Sequence, residues 1–180
     1  AWTEASAGKR YGGLVDKFIG DAVMMVFPAS QCKLAPLEAA MKTARDILEE
    51  DSFGFDHKFG IAAGPFAVAL IGTHEENSVS AMGHTVNVAA RCVQATVGPK
   101  SITIATKDEA LVRSVFADKV WKIEDPRPVE PKNMDPIRVI DVKRKTMRIL
   151  NFDYHAMIRE NVEYARASGA ITVDSGQEKL

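Results

Sequence analysis

The sequence predicts an α/β sandwich of the α+β kind, with helices packed against a sheet. Three observations carry that expectation. Two β-rich runs, LVDKFI and AVMMVF, flank the two-residue turn Gly20-Asp21, a strong hairpin signal. Leu37, Ala40, Met41, Ala44, Ile47 and Leu48 recur at helical spacing, with Glu38, Lys42, Arg45 and Glu49 between them. Strand-like and helix-like segments then alternate as far as Val142, the order of a domain whose helices cover a sheet.

Taken in order, residues 1–10 (AWTEASAGKR) are small and polar and read as an N-terminal loop. One domain is expected over 11–145. Both arms of its opening hairpin are nearly continuously apolar, so the hairpin is expected deep in the sheet. Pro36 suits the start of the helix that runs to Glu50. Lys58 to Ile71 reads as two strands meeting near Gly64-Pro65. Thr85 to Thr96 returns to helical spacing and Gly98-Pro99 closes it. SITIA, from Ser101 to Ala105, is a short strand. Thr106 and Glu109 form a capping-box pattern for a helix through Val115. Strands are expected around Val120–Ile123 and Ile137–Val142, joined by a proline-rich connection. The appendage 146–180 reads as a helix over Asp153–Ser168 and a disordered tail.

Composition narrows the functional classes. The 180 residues are 46% hydrophobic and carry a net charge of -1, with both signs spread along the chain. No Lys/Arg block stands out, so neither nucleic acid nor an anionic membrane surface is expected as a partner. Gly60 to Gly72, the longest weakly polar run, is too short to span a bilayer, and no N-terminal signal peptide is seen. Two cysteines, Cys32 and Cys92, make no disulfide framework and fit a reducing, cytoplasmic setting.

Two constellations carry chemistry. Asp21 projects a carboxylate from a tight turn on a rigid hairpin, the kind of oxygen a hard divalent cation takes. Alone, such a Gly-Asp pair more often only makes the turn. In MGHTVNVAAR, Asn87 and Arg91 are four apart and share a helix face. An amide and a guanidinium together suit a ribose or phosphate oxygen that gains charge during reaction, although a polar pair on a solvated face is the commoner outcome.

Together these segments are specific. LVDKFIGDAVMMVF, followed some sixty residues later by GHTVNVAAR, resembles the catalytic core of class III adenylate/guanylate (nucleotidyl) cyclases. GIAAGPFAVALIG is similar to that family's strand pair, and RPVEPKNMDPIRVIDV to its closing segment. The resemblance runs from about Tyr11 to Val142. It implies a fold of ferredoxin-like type, a mixed and mostly antiparallel sheet with helices packed on it. It implies a homodimer with active sites at the interface, ATP as substrate, and two Mg²⁺ (or Mn²⁺) ions per site. The expected reaction is attack of the ribose 3′-hydroxyl on the α-phosphate, giving 3′,5′-cyclic AMP and pyrophosphate. By motif position Asp21 matches a metal ligand, Asn87 the ribose-orienting amide and Arg91 the transition-state cation; Lys132 matches the lysine that reaches the terminal phosphates. An upstream regulatory domain is expected in the parent protein.

By position in the family's motifs Lys17 and Ser80 match its base-reading residues, so the resemblance implies that base choice rests on them. A lysine donor at Lys17 suits the acceptor N1 of adenine and repels the N1–H of guanine. A serine hydroxyl can donate or accept, so Ser80 leaves guanylate or pyrimidine cyclases open. Two departures from the family stand out. Nothing before Tyr11 resembles the family's opening strand with its first metal Asp, so that strand is expected to be missing and the 180-residue chain to turn over little substrate. A catalytically inactive, nucleotide-binding regulatory module is therefore the alternative. His84 stands where the family usually has Asp and reads as a structural substitution. No GGDEF-like sequence supports a diguanylate-cyclase-like domain.

Overall fold

The computed structural model describes residues 2–50, 56–72 and 77–145. Ala1–Lys145 form one compact unit and Thr146–Leu180 a second; the helix and tail expected in 146–180 lie outside the described residues. The order in the first unit is α1 (Trp2–Arg10), β1 (Leu14–Ile19), β2 (Ala22–Val26), α2 (Pro36–Glu50), β3 (Lys58–Ala62), β4 (Ala67–Gly72), β5 (Asn77–Met82), α3 (His84–Ala95), β6 (Ser101–Ala105), α4 (Glu109–Val115), β7 (Trp121–Ile123), β8 (Arg127–Val129) and β9 (Ile137–Arg144).

The central sheet runs β3-β6-β9-β7, with β8 also paired to β9. Only β3 with β6 is parallel; β9 pairs antiparallel with β6, β7 and β8. Side chains alternate across this sheet, as a strand's period of two requires. Ile102, Ile104, Ile140 and Val142 point into one cluster with Met41, Ala44 and Leu48 of α2, Val112 and Val115 of α4, Phe116 and Trp121. On the other face Val139 packs with Val88 and Cys92 of α3. The helix comes very close there. A Cβ at Gly60 would lie 2.3 Å from the Ala89 carbonyl oxygen, so only glycine lets α3 sit against β3. The α+β sandwich and its mixed, mostly antiparallel pairing are as expected.

Several local expectations need correction. Residues 2–10 are a helix rather than a loop. Its order comes from tertiary contacts: Ala7 is buried, and Arg10 donates to Asp46 at 2.9 Å and to Glu50 at 3.0 Å on α2. The hairpin does not lie deep in a sheet. β1 and β2 form their own two-stranded ladder, with Phe18 60% and Ile19 58% exposed. Continuous apolarity specifies a surface to be covered and does not say that this chain covers it. β4 pairs with β5, which the sequence reading left out, and not with β3. The cap of α4 is Asp108, whose side chain accepts from the Leu111 N–H at 2.9 Å, while the Thr106 hydroxyl accepts from the Asp108 N–H. The proline-rich connection contains β8.

Candidate active site

The β1–β2 turn is Gly20-Asp21, with Ile19 paired to Ala22. Gly20 takes φ of 61°, the positive value that a two-residue hairpin loop opening on glycine demands. Asp21 stands exposed beside it. An exposed carboxylate on a rigid turn fits one ligand position of a hard cation. Among the described residues no group of three or more His, Cys, Asp or Glu gathers to hold a metal ion. These residues therefore fit a single ligand of the expected two-ion centre and not a complete one.

Further back on β1 the ladder slips. Val15 pairs with Met25 and Lys17 with Met24, so Asp16 is the extra residue of a β-bulge. In a regular strand Asp16 and Lys17 would point to opposite faces. At the bulge both reach Ser80 on β5. The Lys17 ammonium donates to Ser80 Oγ and lies 3.3 Å from Asp16 Oδ2. Ser80 Oγ donates to Asp16 Oδ2 at 3.0 Å, and the Ala81 N–H donates to Asp16 Oδ1 at 2.7 Å. Burial pushes the Asp16 carboxyl up. The Ala81 N–H, the Ser80 hydroxyl and Lys17 outweigh it and hold the group below the usual aspartate range. Lys17 and Ser80, 63 residues apart in sequence, are thus brought together by a carboxylate that the sequence reading left without this role. Both Asp16 oxygens are engaged by protein donors.

β5 leads through Gly83 directly into α3, which carries Asn87 and Arg91. The first turn of α3 is tied down by the Thr85 hydroxyl, which donates to the Pro65 carbonyl at 2.7 Å. Its far end is anchored more deeply. The Thr96 hydroxyl lies 2.7 Å from the Cys92 carbonyl and 2.9 Å from Thr103 Oγ1, and Thr103 donates to Asp141 Oδ1 at 2.6 Å. Arg127 completes this network, donating to Asp141 and, at 3.0 Å, to the Ala95 carbonyl. Thr96, Thr103 and Asp141 are all buried, so α3 is clamped to β6, β8 and β9 by polar groups that satisfy one another. Cys92, in the same packing, has its thiol pushed up to about 11 by burial.

Between these anchors Asn87 is exposed and Arg91 half-buried, its guanidinium donating to Gln94 Oε1 at 2.7 Å. Asn87 and His84 line an open depression of about 610 Å³ with Asn133, Met134 and Asp135. Lys132, exposed, is the chain neighbour of Asn133 in the same turn. Asn87 and the Lys132 turn, 45 residues apart, therefore border one hollow, and Asn133 takes φ of 61° at its rim. The role of Asp16 was masked because it depends on a bulge. Asn133 and Asp135 looked like ordinary residues of a proline-rich loop.

The structure is an α+β domain that joins Lys17 to Ser80, sets Asn87 beside the Lys132 turn, and carries Asp21 on the β1–β2 turn and Arg91 on the clamped helix α3. The chain resembles the class III adenylyl/guanylyl cyclase catalytic domain, in fold and in sequence. Its structure is similar to the adenylyl cyclase CyaB from P. aeruginosa, with a TM-score of 0.58 and 20% identity, covering 77% of this chain and 76% of that one. It is equally similar, at TM-score 0.58 and 19% identity, to the guanylate cyclase domain of RhGC from Catenaria anguillulae solved in complex with GTP, covering 80% and 79%. In sequence it is 31% identical over 151 residues to the terminal-differentiation specific adenylate cyclase of Dictyostelium discoideum. That match takes in 77% of this chain and spans 7% of the relative's length. No family model matches the chain.

Proposed function

We propose that this chain is an adenylate cyclase domain that converts ATP to 3′,5′-cyclic AMP and pyrophosphate. The observation that carries the reading is the meeting of Lys17 with Ser80 beside an intact Asn87–Arg91 helix face. Lys17 offers an N–H to the N1 acceptor of adenine. Asn87 orients the ribose, and Arg91, with its planar fork, holds the α-phosphate oxygens as charge builds there. Lys132 lies on the turn next to Asn87 and serves the terminal phosphates. Asp21 supplies one carboxylate to Mg²⁺ or Mn²⁺. Two such ions, held by Asp21 and further carboxylates, would neutralise the triphosphate and favour ionisation of the attacking hydroxyl.

The working unit is a homodimer with two shared clefts. Asp21 of one copy serves one cleft, and Lys17, Asn87 and Arg91 of that copy serve the other. The apolar surface of the hairpins supports this. Val68, Leu70 and Val79 share one face of the β4–β5 ladder and are at least 60% exposed, as is Phe18 on β1. Surfaces of this kind are uncommon on monomers. No described helix is long and apolar enough to cross a membrane.

The test is direct. The purified chain is incubated with Mn²⁺ and either ATP or GTP, nucleotide binding is measured by calorimetry, and cyclic product is measured by mass spectrometry. ATP binding that vanishes in Arg91→Ala supports the reading, with little cyclic AMP expected from the 180-residue chain itself. Failure to bind either nucleotide contradicts it.

A further inference from the structure

On an adenylate cyclase reading, Lys17 and Ser80 would both be taken as residues that touch the base. Their burial separates them. Ser80 is 3% exposed, and the Lys17 ammonium donates to its hydroxyl oxygen. The Asp16 side chain is 7% exposed, whereas that of Lys17 is 40% exposed. Of the three, Lys17 alone has a side chain open enough to meet a ligand from solvent.

The hydrogen-bond directions are also set. A serine hydroxyl has one hydrogen and two lone pairs. Two acceptors compete for the Ser80 hydrogen, Asp16 Oδ2 at 3.0 Å and the neutral Ala81 carbonyl at 3.3 Å. The shorter, charge-assisted bond to the carboxylate is the stronger. With its hydrogen committed to Asp16, Ser80 turns lone pairs toward Lys17 and can only accept. Asp16 is itself fixed through the Ala81 N–H at 2.7 Å, on the strand that carries Ser80. The result is a one-way relay from Lys17 to Ser80 to Asp16. It uses one ammonium hydrogen on Ser80, steers a second toward Asp16 and leaves the third for a ligand.

We propose that Asp16 and Ser80 are positioning residues that set nucleotide preference through Lys17, by pinning its ammonium, and that neither reads the base itself. The proposal rests on the adenylate cyclase reading. A pinned ammonium donates to the N1 of adenine and meets the N1–H of guanine with a second donor, which cannot pair. A loosened ammonium can swing away from guanine and discriminates less. The Asp16 carboxyl, held in its charged form by these same contacts, keeps the relay intact at neutral pH. The β-bulge is what makes the arrangement possible, because it brings two consecutive side chains of β1 to one residue of β5.

The test compares Kd for the α,β-methylene analogues of ATP and GTP, with Mn²⁺, on the 180-residue chain. Asp16→Asn and Ser80→Ala should each lower the preference for the adenine analogue about tenfold, the size of one hydrogen bond to a charged group. Ser80→Thr, which keeps the hydroxyl, should retain it. Ser80→Ala guards against loss of folding in Asp16→Asn, because it removes a single oxygen. In a Lys17→Met background neither substitution should change the ratio further. A further drop on adding Ser80→Ala to Lys17→Met would mean that Ser80 reads the base itself and would overturn the proposal. So would unchanged ratios in both single variants. A parent chain that binds neither analogue refutes the cyclase reading and this inference with it, whereas binding with an unaltered preference refutes the inference alone.

Discussion

The central sandwich and the two outlying hairpins both contain apolar strands but treat them in opposite ways. β3, β6, β9 and β7 bury their side chains against α2 and α4 on one face and α3 on the other. The β1–β2 and β4–β5 ladders leave Phe18, Ile19, Val68, Leu70 and Val79 more than half exposed. The sandwich is self-sufficient. The hairpins carry Lys17, Asp21 and Ser80 and present apolar surface that a second copy can cover. Lys17, Ser80 and Asp21 thus sit on the hairpins while Asn87 and Arg91 ride on α3 of the sandwich, so substitutions in the core and on the hairpins should have distinguishable effects.

The largest effect is expected in the sandwich. Ile104 is fully buried, and Ile104→Ala should cost about 2–5 kcal/mol, read from urea unfolding, with no change in nucleotide preference. The clamp on α3 comes next. Asp141→Ala leaves Thr103 and Arg127 without their shared acceptor and should cost about 2–3 kcal/mol. It should also weaken nucleotide binding, because Arg91 sits on the helix the clamp holds.

Asp16→Asn should be milder, about 1–2 kcal/mol at neutral pH, since one hydrogen-bonded charge is lost. Its pH dependence has a defined sign. The folded-state pKa of Asp16 is depressed, so its stabilisation is full at neutral pH and is lost as pH falls through that folded value. The gap in unfolding free energy between parent and Asp16→Asn should therefore narrow at acid pH, below the ordinary aspartate value of about 4. A gap that widens there would contradict the assignment. The smallest effect on the monomer is expected on the hairpin surface. Phe18→Ser should change unfolding by about 0.5 kcal/mol or less, yet it should reduce self-association measured by sedimentation.

Legibility in the sequence followed the same division. α2 was readable because Leu37, Met41, Ala44 and Leu48 repeat at the helical period, and the structure buries that stripe against the sheet. α1 was not, because AWTEASAGKR has no apolar stripe and is ordered by the ion pairs of Arg10 and the packing of Ala7. β8 was hidden by Pro128, which sits in a strand that pairs only with β9. At the candidate site Asp21, Asn87 and Arg91 stand out by residue type and position only once the segments are read together as a family motif, and Lys17 only from its place in that motif. What brings Lys17 to Ser80 could not be read, because it depends on a bulge in β1 and on a ladder, β4–β5, whose second strand NSVSAM has little strand character. Polar residues buried by distant partners, Asp16 and Asp141 among them, leave no periodic signal in the chain.

The measurement that bears most directly on the division between sandwich and hairpins is complementation between two disabled chains. Asp21→Ala and Arg91→Ala are each expected to form no cyclic AMP alone, since every homodimeric cleft then lacks one essential group. Mixed in equal amounts and allowed to exchange, half of the dimers carry both variants and each has one intact cleft. In protein that carries a complete metal site, the mixture should then recover about a quarter of the activity of the unsubstituted dimer. Absence of recovery in a mixture shown by mass spectrometry to contain the heterodimer would contradict the shared-cleft account.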